Sequence, residues 1–107
     1  MANDDRNVPR TLHLKVTLPT ADAAQLLSLV QAATPFVELF GGKQVRLLQN
    51  VDDPAKFIQV IEYETPEVVE INRQRIASDP RLQSYIQAWR ALIPGSMEVD
   101  VYRDVKA

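Results

Sequence analysis

The chain alternates apolar and polar positions in four stretches and switches to helical spacing between them. In "TLHLKVTL", Leu12, Leu14, Val16 and Leu18 fall on one face and His13, Lys15 and Thr17 on the other, the pattern of a half-buried strand. Pro19 closes it, and Thr20 is the predicted N-cap of a helix with Asp22 in its first turn. Leu26, Leu27, Val30 and Ala33 keep that helix apolar along one stripe. Pro35 interrupts the helix, and "TPFVELFGG" restarts it with Thr34 as cap, Pro35 at the first helical position and Gly41 as terminator. "KQVRLLQN" and "KFIQVIEYE" read as two further strands, joined into a hairpin by the turn "VDDP". Thr65, Pro66 and Glu67 predict a second helical region running to about Ala77, restarted at "SDP". Its apolar face carries Leu82, Tyr85, Ile86, Trp89 and Ile93, and Pro94–Gly95 ends it. In the closing strand "MEVDVYRDV", Met97, Val99, Val101 and Val105 oppose Glu98, Asp100, Tyr102 and Asp104.

The order β-α-β-β-α-β predicts an α+β fold of the ferredoxin-like kind, an antiparallel sheet with helices on one face. First and last strands become neighbours, so His13, Lys15 and Thr17 share the outer face with Glu98, Asp100 and Tyr102. The two middle strands are apolar on both faces: Phe57, Ile61 and Tyr63 on one, Ile58 and Val60 on the other. Helices cover only one side, so the outer apolar surface implies a homodimer with two sheets face to face. Residues 1–10, polar and of mixed charge, are expected to be a flexible tail, with a single domain over 11–107.

Composition narrows the function classes. A net charge of −2 over 107 residues argues against a phosphate-neutralising surface, and the strands lack the aromatic motif of RNA-recognition modules, so no nucleic-acid partner is expected. With no cysteine and one histidine the usual zinc ligand set cannot form. "FGGK" is neither a dinucleotide fingerprint nor a P-loop, "VDDP" lacks the ligand pattern of a calcium loop, and no nucleophile elbow occurs. No secretory signal or membrane-length apolar run is present, which makes a cytoplasmic protein the expectation.

Candidate chemistry centres on a few side chains. His13 is of the side-chain type that shuttles a proton near neutral pH and shares a face with Asp100 and Tyr102, which permits a His–carboxylate or His–Tyr pair; the reading that the residues favour is a polar strand residue in the dimer's inner face or in solvent. Glu62 lies in a central strand, where partial burial would demand a partner such as Arg46 or Lys15, to orient a ligand or as a structural ion pair. Asn72 and Arg75 are three apart on the second helical region with Tyr85 and Trp89, an amide-plus-aromatic set that could hold a planar substrate or simply fill a small core.

"DDPAKFIQVIEYETPE", then "SDPRLQSYIQAW" and "MEVDVYRDV", resemble the antibiotic biosynthesis monooxygenase family over roughly residues 11–105. The resemblance implies a dimeric α+β barrel with a pocket between helices and sheet. It also implies oxidation of small aromatics or quinols without metal or flavin, so no cofactor. Asn72, Tyr63 or His13 would be the polar group assisting deprotonation, with Glu62, Arg75, Tyr85 and Trp89 around the substrate. The family's haem-degrading branch uses an Asn, a Trp and a His that this chain lacks at the matching positions, where Leu14 or Lys15, and Asn72 or Arg75, stand instead. Where many members carry a His at the helix break, this chain has Arg75 and Arg81. The alternative is a non-catalytic dimer of the same fold that binds a small apolar molecule or has an accessory role.

Overall fold

The computed structural model describes residues 7–19, 22–66, 80–93 and 97–105. Their elements are β1 (Asn7–Thr17), α1 (Ala23–Ala32), α2 (Thr34–Glu38), β2 (Gly42–Gln49), β3 (Lys56–Pro66), α3 (Pro80–Leu92) and β4 (Met97–Tyr102). The strands form one antiparallel sheet in the order β2-β3-β1-β4, the ferredoxin-like arrangement that the sequence pattern predicts.

Register explains the core. Leu12 lies opposite Ile61 and Val101, Leu14 opposite Gln59 and Val99, and Val16 opposite Phe57 and Met97. Facing residues in paired strands point to the same side, so each row delivers side chains to the helices. Leu12, Leu14, Phe57 and Ile61 are almost wholly buried there against Leu26 and Val30 of α1, Val37 and Phe40, and Leu82, Tyr85, Ile86 and Trp89 of α3.

Several boundaries move from the sequence reading. β1 begins at Asn7, so residues 7–10 extend a strand instead of lying in the expected tail. Pro9 is tolerated because β4 pairs only with Thr11–Val16, leaving β1 an edge at that point. The same extension overturns the expected helix cap at Thr65–Pro66: both are strand residues, Thr65 opposite Val8 and Pro66 opposite Asn7. The helix expected to follow, over 67–77, lies outside the described residues, as does Thr20. The N-cap of α1 is Asp22, whose carboxylate accepts the Ala24 N–H at 2.9 Å. Leu27, placed in the buried stripe by spacing, is 42% exposed. Ala33 precedes α2, with Thr34 already helical and Pro35 in the first turn. β4 ends at Tyr102, short of Val105.

The hairpin turn is built by two side chains. Asn50 Oδ1 accepts the N–H groups of Asp52 and Asp53, each at 2.8 Å, and Asp53 accepts that of Ala55 at 3.1 Å. Among the described residues no helix is long and apolar enough to cross a membrane.

Candidate functional site

A groove of about 580 Å³ opens in the helical layer between the α1–α2 arm and α3. Its origin is the bend at Ala33, Thr34 and Pro35, where the chain leaves one helix and enters another. That bend carries Phe36 and Leu39 out of the core, and they stand 60% and 73% exposed on one wall with Leu29. α3 forms the other wall with Arg81, Ser84, Tyr85, Ala88, Trp89 and Leu92. The lining is almost wholly apolar, and its volume is in the range of small-molecule sites.

Behind this wall sits an aromatic array. Phe40 meets Tyr63 and Tyr85 edge-on at 5.6 and 5.4 Å between centroids, and Tyr85 lies 6.3 Å from Trp89. The Tyr85 hydroxyl reaches the sheet, donating to Gln59 Oε1. Burial pushes the Tyr85 phenol up to about 12, with a hydrogen bond to Trp89 acting weakly the other way. At neutral pH Tyr85 is therefore a neutral hydrogen-bonding group and not a base. Gln59 itself is 5% exposed. Replacing Gln59 with Leu is expected to destabilise the fold by about 1–3 kcal/mol, because it strands a buried hydroxyl. Adding Tyr85→Phe should recover most of that loss, a non-additivity that urea denaturation of the single and double variants measures.

The residues singled out from sequence separate onto two faces. Tyr85 and Trp89 line the groove. Tyr63 is buried between sheet and helices against Phe40. His13 lies on the opposite, outer face of the sheet, and so does Glu62, the register partner of Thr11 and Gln44. Neither can touch a ligand in the groove. Asn72 and Arg75 lie outside the described residues. The expected partial burial of Glu62 is corrected: it is exposed. Of its suggested partners, Lys15 bonds Asp100 at 3.4 Å, and Arg46 stands in register with Val60. The carboxylate on β3 with a close cation is Glu64, bonded to Lys43 at 2.8 Å.

His13 packs against Tyr102 with ring centroids 4.8 Å apart. Its pKa is lowered, first by burial and then by Lys15 and Arg46, with Asp100 opposing. A folded-state value below the unfolded one means the unfolded chain takes up the proton more readily. Stability is then fully present above about 6.5, the unfolded value, and is lost as pH falls through the folded value. The urea midpoint of the native chain should therefore drop more between pH 7 and pH 5 than that of His13→Gln.

Sequence comparison finds no matching family model and no matching curated protein. Structure comparison finds proteins of similar fold. A protein assigned as an antibiotic biosynthesis monooxygenase from Bordetella bronchiseptica superposes with a TM-score of 0.61 at 17% identity, over 92% of this chain and 98% of that one. SnoaB, a cofactor-independent oxygenase from Streptomyces nogalater, gives 0.59 at 15% identity over 92% and 95%. Rv0793 from Mycobacterium tuberculosis gives 0.57 at 16% over 94% and 98%. The chain has their fold. The fold that the resemblance over residues 11–105 implied is observed, and among the described residues this groove is lined by side chains of the helical layer.

Proposed function

We propose that the chain is a monooxygenase-like protein that takes a small aromatic or quinol into the helical groove and oxidises it without a cofactor. The observation that carries this reading is the groove itself, an apolar slot with Phe36, Tyr85 and Trp89 on its walls. It occurs in a fold shared with a cofactor-independent oxygenase. In such a reaction the substrate supplies the electrons. Its ionised form passes one electron to O2, the resulting pair joins through a carbon–oxygen bond, and loss of water leaves one oxygen atom on carbon. A ring CH2 becomes a carbonyl and the second oxygen leaves as water. The protein's part is to hold the ring flat, exclude water and position the ionised oxygen.

The test is oxygen uptake with chelated buffer across phenols, naphthols and quinols. One O2 consumed per substrate, with loss of uptake when the groove is filled, supports the reading. No uptake with any compound that binds supports the second reading, a non-catalytic binder of apolar molecules. One observation favours that second reading: Tyr85, the ionisable wall residue besides Arg81 among the described lining, is held neutral against Gln59.

The outer face of the sheet supports a homodimer. Ile58 and Leu48 pair side by side on it, Leu48 43% exposed, with the buried Val60 next along β3 and Tyr102, 47% exposed, on β4. Lys15, Arg46, Glu62 and Asp100 surround them with both charge signs, as a surface meeting its own copy requires. Ile58→Glu is expected to convert a dimer to a monomer in sedimentation velocity while leaving helical content unchanged.

A further inference from the structure

The group on the outer face that titrates near neutrality stands at the middle of that face. Register places His13 in a row that runs Arg46, Val60, His13 and Asp100 across β2, β3, β1 and β4. The row on one side holds Glu62 and Tyr102, and the row on the other holds Lys15 and Glu98. His13 is half-buried, with its ring 4.8 Å from that of Tyr102.

Charge is uneven across the sheet. Edge strand β2 carries Lys43 and Arg46 and no acid, while edge strand β4 carries Glu98 and Asp100 and no base. Two copies stacked face to face are related by a two-fold axis lying in the plane between their sheets. An axis along the strands sets each β2 over the partner's β4, so the cationic edge of one copy meets the anionic edge of the other. An axis across the strands sets like edge on like edge, which repulsion opposes. The first arrangement also sets each β1 over the partner's β3, the strand that carries Ile58 and Val60. His13 is then shut off from water against an apolar stretch.

The groups around it compensate an imidazolium poorly. Lys15 on its own strand and Arg46 on β2 repel it. Asp100 attracts it but already bonds Lys15 at 3.4 Å, and in the dimer lies under the partner's cationic edge as well. Glu62 and Glu98 are exposed in the neighbouring rows, and Tyr102 packs on the ring in either protonation form. A charge desolvated without a partner of its own is costly.

We infer that this face joins two copies with His13 neutral, so that dimerisation is coupled to loss of an imidazole proton from each protomer. This rests on the reading of the outer face as a homodimer interface and adds its orientation and its dependence on pH. Burial already lowers the pKa of His13 in one copy, and a second copy acts in the same direction. Monomers therefore take up protons more readily than the dimer, and acid favours the monomer. The chain has one histidine and no cysteine, so no other side chain has its ordinary value between pH 5.5 and 7.5.

Sedimentation velocity over a dilution series at pH 7.5 and 5.5, at constant salt, tests this with the native chain and His13→Gln. The native dissociation constant should rise roughly ten- to hundredfold at the lower pH, because two protons are taken up for each dimer lost. In His13→Gln it should change by less than about threefold. Linkage adds a measurement on the native chain alone: the imidazole titration followed by NMR should have a lower midpoint in concentrated, dimeric protein than in dilute protein. Circular dichroism checks that the fold persists at both pH values. A native dissociation constant equal at both pH values, an equal rise in His13→Gln, or identical NMR midpoints overturns the inference while leaving the homodimer. A native chain that is monomeric at every concentration and pH overturns the homodimer reading and the inference with it.

Discussion

Replacing Gly41 with alanine is expected to destabilise the protein by roughly 3 kcal/mol or more, enough to leave a small domain marginal. Two separate costs combine. Gly41 sits at φ 87°, the left-handed region, where a residue with a Cβ pays about 1–2 kcal/mol. The added carbon would also overlap the carbonyl oxygen of Glu64 on β3. That carbonyl cannot swing aside easily, because the Glu64 N–H donates to the Gly41 oxygen at 3.0 Å and fixes the same stretch of backbone. Gly41 therefore lets the chain turn from α2 into β2 while touching β3, and the position of Phe36 and Leu39 at the groove depends on that turn. The urea midpoint of Gly41→Ala, set against Lys43→Ala at an exposed neighbouring site, measures the effect.

Filling the groove should have the largest effect on function. Ala88 is exposed on α3 between Arg81 and Leu92, and a phenyl ring grown from it occupies the slot without entering the core. Alanine to phenylalanine costs under about 1 kcal/mol of helix propensity, so Ala88→Phe should fold. It is expected to lower affinity for planar aromatics by about a hundredfold, since the ligand loses most of its buried apolar area. Oxygen uptake should fall to background in the same variant. Retained binding would place the ligand elsewhere.

Alternation was enough to read the sheet. Leu12, Leu14 and Val16 against His13, Lys15 and Thr17, and the two-sided apolar pattern of 57–63, define strands and faces before any contact is known. The errors came where local chemistry fits two outcomes. Thr65–Pro66–Glu67 has the residues of a helix start, yet Thr65 and Pro66 complete a strand because Asn7 and Val8, nearly sixty residues away, pair with them. Glu62 was expected to be half-buried because β3 is central. Its side chain points to the outer face with that of Thr11, and it is exposed there.

Gln59 was legible and was missed. It is in phase with Phe57 and Ile61, so phase places it inside although polarity suggests the surface. A polar residue at a core phase signals a buried partner, here Tyr85. The groove was not legible as a cavity, because it depends on how the bend at Ala33–Pro35 is set against α3. Its wall residues left a trace nonetheless. Leu29, Phe36, Leu39 and Leu92 are apolar residues outside the stripes that the core uses.

Trp89 is the single tryptophan of the chain and lines the groove, so its emission reports on that site alone. Titration with 4-nitrophenol, a planar phenol whose absorption overlaps indole emission, tests the central claim that this groove holds small aromatics. The expected result is saturable quenching that disappears in Ala88→Phe. Quenching that rises linearly without saturation, and equally in both proteins, would contradict it.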